Sequence, residues 1–252
     1  MIERSAEAEA FFTAIEVTAP ELVSACEGWT AHEIAAHITG NAVEIVRHLE
    51  PYLQGDPVPK TRSFEEREAP LRALAHPDLL ARLDRDEQRM RTVIADVLAR
   101  EPEAVIPWTG RQMAVAKFIP HMRNEHALHR WDVVGDDATS RALLAESDLV
   151  EHSVGVLGAI LLVAGRKHDP DPDSDFRVRL RSDGQPDLLV TVERGHATLV
   201  WAADEQDEPY VELDSAARQL FIWGRRPDDR GRLRSHLAQA DLARLQALLS
   251  GY

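Results

Sequence analysis

Apolar residues recur at helical spacing over roughly the first 165 positions, and alternate with polar ones only beyond that point. Ser5 to Thr18 carries Phe11, Phe12, Ile15 and Val17, and Pro20 ends the segment. Thr30 to Glu50 carries Ile34, Ile38, Ile45 and Leu49 on one stripe. It opens on Thr30-x-x-Glu33, a capping box in which each side chain satisfies a free backbone N–H, and Pro51 is expected to close it. Gly55 to Pro70 reads as a polar loop. Leu79, Leu83, Met90, Ile94 and Val97 predict a third helix over Asp78 to Arg100. A fourth runs from about Ala114 to Val134, with Pro120 either kinking it or starting its main part. Ser147 to Ala164 is a fifth, apolar on nearly every side and hence buried on several.

The pattern changes after Gly165. Asp169-Pro170-Asp171-Pro172-Asp173 is a linker signal. Short alternating runs follow at Phe176 to Leu180, Leu188 to Val192 and Ala197 to Trp201, with Gly184 and Gly195 in the turns and a further short strand at Val211 to Leu213. Asp214 caps a helix to Trp223, and Asp241 to Leu249 makes the last one. The expected fold is α+β in two domains: a four-helix bundle with an extra helix over residues 1–168, then a small α+β domain over 173–252.

Composition narrows the function classes. The 252 residues carry 29 basic and 43 acidic side chains, a net charge of −14, which speaks against nucleic acid or an anionic membrane as partner. The single cysteine, Cys26, permits no intrachain disulfide and fits a reducing cytoplasm. The N-terminus lacks the basic-then-apolar pattern of a signal peptide, and Val154 to Ala164 is about half of a membrane span. A cytoplasmic protein is expected, with a monomer favoured. Residues 172–252 hold 11 Arg against 14 acidic residues, whereas residues 1–171 are more acidic, at 18 against 29.

Candidate chemistry lies among the 11 histidines. A carboxylate and a histidine four apart share a helix face and can ligate one metal. About two such pairs are expected by chance in a chain this acidic, and four occur: Glu33/His37, Glu44/His48, Glu125/His129 and Asp148/His152. Most such pairs are solvated helix neighbours. Packing of the second helix beside the fourth would let His37, Glu125 and His129 converge in the bundle, leaving a fourth position open on Zn2+. His48 lies on the same side of its helix as His37, so face alone does not choose between them. Asp132, one turn beyond His129, is a candidate acceptor for the second ring N–H of that histidine. No phosphate-binding glycine loop and no nucleophilic serine elbow is present. Trp29 reads as core at the helix entry, His32 as a surface residue, and His121 and His126 as exposed or packed flanks. Cys26 has no basic neighbour within three residues and reads as a small buried hydrophobe.

Three segments resemble one family. "CEGWTAHEIAAHITG", Cys26 to Gly40, is similar to the motif that opens the second helix of the mycothiol-dependent maleylpyruvate isomerase family, within the wider DinB-like group. "RNEHALHRWDVVGD", Arg123 to Asp136, resembles its E-x3-H-R-W-D element, and "VELDSAARQLFIWGRRP", Val211 to Pro227, resembles its C-terminal segment ending in Gly-Arg. The resemblance implies a DinB-like bundle followed by a sterol-carrier-like α+β domain. It implies a divalent metal, usually zinc, held by His37, Glu125 and His129, and mycothiol as thiol cosubstrate. It also implies a functional arginine, which the motif places at Arg225 rather than its neighbour Arg226; a guanidinium fork suits a substrate carboxylate. The expected activity is addition of a metal-activated thiolate to an electrophilic small molecule, as an isomerase of the maleylpyruvate type or as an S-transferase. A small-molecule binding protein without turnover and a hydrolase using metal-bound water are the competing readings.

Overall fold

The computed structural model describes residues 3–203 and 208–250. Ser5 accepts a hydrogen bond from the Ala8 N–H and starts α1 (Ala6–Val17), which buries Phe11, Phe12 and Ile15. The Thr30–Glu33 capping box forms as expected and starts α2 (Ala31–Gln54). Pro51 does not close that helix: the missing N–H costs one hydrogen bond, but the chain continues to Gln54 and stops at Gly55, which adopts the left-handed conformation.

The expected loop after α2 contains a further helix, α3 (Phe64–Arg72), started by a second capping box between Ser63 and Glu66. Then come α4 (His76–Arg100), an antiparallel hairpin of β1 (Val105–Trp108) and β2 (Arg111–Ala114), and α5 (Phe118–Val134). Pro120 lies in the first turn of α5, where its lost N–H has no intrahelical partner to forgo, so it starts the helix rather than kinking it. These elements form one compact unit, Met1–Val134, in which α2 packs on α4 and α3, and α1 packs on α5. Ile34, Ile38, Ile45 and Leu49 of α2 and Leu79, Leu83 and Ile94 of α4, two helices packed on each other, are all buried in its core.

The second unit is Gly135–Tyr252, so the division falls after α5 and not at the Asp/Pro linker near residues 168–173. The helices between those points belong with the sheet. They are α6 (Ala138–Leu144), α7 (Ser147–His152) and α8 (Gly158–Gly165), of which α6 packs on α9 (Ser215–Ile222) and α8 on β5 (His196–Trp201) and α10 (Gln239–Leu248). The expected single helix over 147–164 is interrupted by a π-helical turn at Ser153–Leu157. Ser153 holds that turn, because its Oγ accepts from Gln219 Nε2 (2.9 Å) and Trp223 Nε1 (3.0 Å) while donating to the Leu149 carbonyl (2.9 Å).

The five-stranded sheet has the order β5-β4-β3-β6-β7, with β3 (Phe176–Arg181), β4 (Leu188–Glu193), β6 (Tyr210–Leu213) and β7 (Leu233–Ser235). Every pairing is antiparallel except that of β3 with β6. The strands and helices foreseen from alternation appear; α3, α6, β7 and the β1–β2 hairpin do not follow from it. No described helix is long and apolar enough to cross a membrane.

Candidate metal centre

The second helix delivers His37 and the fifth delivers Glu125 and His129, one turn apart on the same face. All three are buried, and one ligand atom from each lies within 4.8 Å of the others. Glu125 Oε2 stands 3.2 Å from His37 Nε2 and 3.6 Å from His129 Nε2. Ligands about 2.0–2.2 Å from a tetrahedral ion stand about 3.3–3.6 Å apart, so Glu125 Oε2 stands near zinc-ligand spacing from both imidazoles.

The outer ring nitrogens support the same assignment. His37 Nδ1 donates to Glu68 Oε1 at 2.8 Å, and His129 Nδ1 donates to Asp132 Oδ2 at 2.8 Å. A carboxylate accepts, so Nδ1 of each imidazole carries a proton, and each ring turns Nε2 toward Glu125, the nitrogen left to ligate when a metal takes the place of its proton. Asp132 thus lies within hydrogen-bond distance of the ring nitrogen of His129 that points away from Glu125. Glu68 was not foreseen, because it lies on α3, in the segment that reads as a loop. Asn41, one turn beyond His37, completes the interior: its amide nitrogen lies 3.1 Å from His37 Nε2 and 3.4 Å from Glu125 Oε2.

Burial and charge oppose one another here. Burial pushes the His37 pKa down, but the hydrogen bonds and charges of Glu125 and Glu68 outweigh it and hold it above the ordinary value. Burial would raise the Glu125 pKa; the hydrogen bonds from His129 and His37, with the charges of His121 and His37, hold it well below the carboxylate range. Such a carboxylate is ionised and ready to ligate a cation.

Aromatic rings frame the three ligands. Trp29 stacks on His129, nearly parallel at 6.0 Å between centroids, and lies 5.0 Å from the His37 ring. Its position is set by the tight turn Cys26–Trp29, which needs the positive φ of Gly28, and by Ser24, whose Oγ donates to the Trp29 carbonyl at 2.9 Å. The Ala25 N–H in the same loop donates to the Asp132 carbonyl at 2.8 Å, tying the loop to the end of α5. Phe64 of α3 lies 5.5 Å from His37 on another side.

The other histidines separate cleanly. His48 is buried away from this group, with Nδ1 donating to the Glu44 carbonyl (2.8 Å) and Nε2 3.3 Å from Thr61 Oγ1. Glu44 is taken by the backbone N–H and the guanidinium of Arg62, both at 2.8 Å. His126 packs against Phe11 and Phe12. His121 is buried with Nε2 4.0 Å from Glu125 Oε1, and burial lowers its pKa. His32 is half-buried rather than a surface residue, with Nε2 donating to the Arg72 carbonyl at 3.0 Å. In the second unit Arg225 follows α9, is half-buried and donates through Nη1 to the Trp223 carbonyl at 3.1 Å; Arg226 is exposed.

Residues 3–134 match the family profile described as the mycothiol maleylpyruvate isomerase N-terminal domain. Among solved structures the chain is similar to a crystal structure of the mycothiol-dependent maleylpyruvate isomerase. The identity is 18%, the match covers 91% of this chain and 88% of that one, and the TM-score is 0.63. It is similar also to a histidine-to-alanine mutant of that isomerase, at 17% identity, the same coverage and a TM-score of 0.63. At such identities the likeness is one of fold, and it extends over both units. No curated protein matches the chain.

Proposed function

The chain belongs to the mycothiol maleylpyruvate isomerase family, and from that premise we propose that it is a metal-dependent enzyme using mycothiol as cosubstrate on a small electrophile. The observation that carries this reading is the convergence of His37, Glu125 and His129, with each imidazole turned inward by its own carboxylate. A divalent ion, proposed to be Zn2+, supplies an open coordination position and the Lewis acidity that brings a thiol pKa into the neutral range. The protein's own part is to hold the two Nε2 atoms and Glu125 Oε2 in place, to keep Glu125 ionised, and to frame the site with the rings of Trp29 and Phe64.

The reaction named for the similar structures is the first to test. A thiolate adds its sulfur to one carbon of a cis double bond conjugated to a carbonyl, and the electron pair passes to the carbonyl oxygen as an enolate. Rotation about the resulting single bond and expulsion of the thiolate give the trans product; nothing is oxidised, and the thiol returns. Protonation of the enolate instead releases the adduct, which is the S-transferase outcome. Arg225 is proposed to meet a substrate carboxylate, where its fork of donors would act.

The test uses purified protein loaded with Zn2+, supplied with maleylpyruvate or a generic electrophile, with mycothiol or other thiols. A rate requiring both thiol and metal is expected, lost in His37→Ala and Glu125→Gln. Arg225→Ala is expected to raise KM for a carboxylate substrate at least tenfold and Arg226→Ala to leave it within twofold. Turnover that persists without thiol would identify a hydrolase, and ligand binding without any turnover a binding protein; either overturns the proposal.

A further inference from the structure

We propose that Glu68 is a positioning residue of the metal centre, fixing His37 as an Nδ1–H donor so that Nε2 is the nitrogen left to ligate beside Glu125 and His129. This rests on the metal reading above and assigns a role to a residue and a helix outside both sequence motifs. Glu68 is buried, and its two oxygens are divided between two partners: Oε1 accepts from His37 Nδ1 at 2.8 Å, and Oε2 accepts from Arg72 Nη1 at 3.3 Å. Arg72 thus orients Glu68, and Glu68 orients His37.

The helix carrying Glu68 is built to reach this point. The capping box of Ser63 and Glu66 starts α3, and Gly40 lets it approach α2 closely: a Cβ at position 40 would sit 3.2 Å from Glu68 Cγ and 3.6 Å from Arg67 Cβ. Phe64 on the same helix lies against His37. The arrangement mirrors Asp132 on His129, so both imidazoles carry a buried carboxylate on the nitrogen turned away from the centre. A neutral imidazole has one N–H. Holding it at Nδ1 removes the alternative tautomer, and the negative partner raises the basicity of Nε2.

The experiment measures metal affinity rather than turnover. Metal-free wild type, Glu68→Ala, Glu68→Gln and Asp132→Ala are titrated with Zn2+ against a chromophoric chelator and with Co2+ by visible absorption, beside circular dichroism and unfolding of each metal-free form. Glu68→Ala is expected to weaken Zn2+ binding about 10–100-fold, comparably to Asp132→Ala, as loss of such a partner does elsewhere. Glu68→Gln keeps the shape and an acceptor oxygen but not the charge, so its loss should be smaller yet measurable, with an altered Co2+ spectrum. If Glu68→Ala fails to fold, Glu68→Gln carries the test. Wild type that binds Zn2+ while both folded Glu68 variants bind within twofold of it overturns this inference alone. Wild type that binds neither ion overturns the metal reading itself.

Discussion

At the scale of single residues, two histidines on one helix share the same carboxylate spacing and have opposite fates. His37 ends beside Glu125 because α5 and α3 bring carboxylates to both of its nitrogens. His48, eleven positions on, finds its partners in the Glu44 carbonyl and Thr61, and its ring meets the Trp108 edge at 5.1 Å. His37→Ala is therefore expected to abolish metal retention after gel filtration, and it also strips buried Glu68 and Glu125 of a partner. His48→Ala should retain metal at the wild-type ratio while losing about 1–3 kcal/mol of unfolding free energy. Metal analysis and urea denaturation of the two variants check both. The spacing of residues was legible in the sequence and the choice between the histidines was not, because it depends on which helices are neighbours. The motif resemblance pointed to the trio whose ligand atoms the structure brings together. Glu68 was hidden for a simpler reason: Phe64–Arg72 has only Phe64 and Leu71 as large apolar positions and contains Pro70, so hydrophobic periodicity is silent there, although Ser63-x-x-Glu66 is a readable cap.

At the scale of elements, charge ties and close approaches decide what periodicity leaves open. The first helix is joined to the fifth by buried Glu7, whose Oε1 accepts from Arg123 Nη2 at 2.6 Å. Burial pushes the Glu7 pKa up, but the Arg123 hydrogen bond, its own backbone N–H and Ser5 outweigh this and hold it below 4.5. A carboxylate pKa depressed in the folded state contributes stability that is complete above the unfolded value and is lost as pH falls through the folded one. Glu7→Gln should thus cost about 1–3 kcal/mol at pH 7, and the difference from wild type should shrink progressively below about pH 4.5. Urea unfolding across the pH range follows it. In the second unit the apolar run 147–164 announced burial but not its interruption, since the π-helical turn is set by Gln219 and Trp223 meeting Ser153 from a distant helix. Gly155 in that run and Gly165 just after it make the packing testable. A Cβ at Gly165 would lie 1.8 Å from the Leu248 carbonyl oxygen, whereas one at Gly155 would meet nothing within 4 Å. Gly165→Ala must displace α10 and should cost more than about 2 kcal/mol; Gly155→Ala should be neutral or stabilising by up to about 1 kcal/mol. Thermal melts that rank the pair the other way would contradict this packing.

At the scale of the whole molecule, the structural division changes what the charge means. Split at the Asp/Pro linker, the acidity seemed to belong to the helical part. Split after Val134, each unit carries a net −7, from 15 basic against 22 acidic residues in the first and 14 against 21 in the second. The change of hydrophobic period marks where strands begin, while the unit boundary marks where apolar surface changes partner; helices α6 to α8 lie between the two. The proposed metal ligands, by contrast, all lie in the first unit, which is the part that matches the family profile. Because a cation bound only by the folded state adds its binding free energy to folding, Zn2+ at about a hundred times its dissociation constant should add about 2.7 kcal/mol to the stability of that unit. Hydrogen exchange read by mass spectrometry resolves where this falls. Protection should rise in peptides from 31–41, 64–72 and 118–132, which carry the ligands and their carboxylate partners, and His37→Ala should remove the increment from all three. An increase that survives in His37→Ala would place the bound ion elsewhere in the chain and detach the candidate centre from the metal.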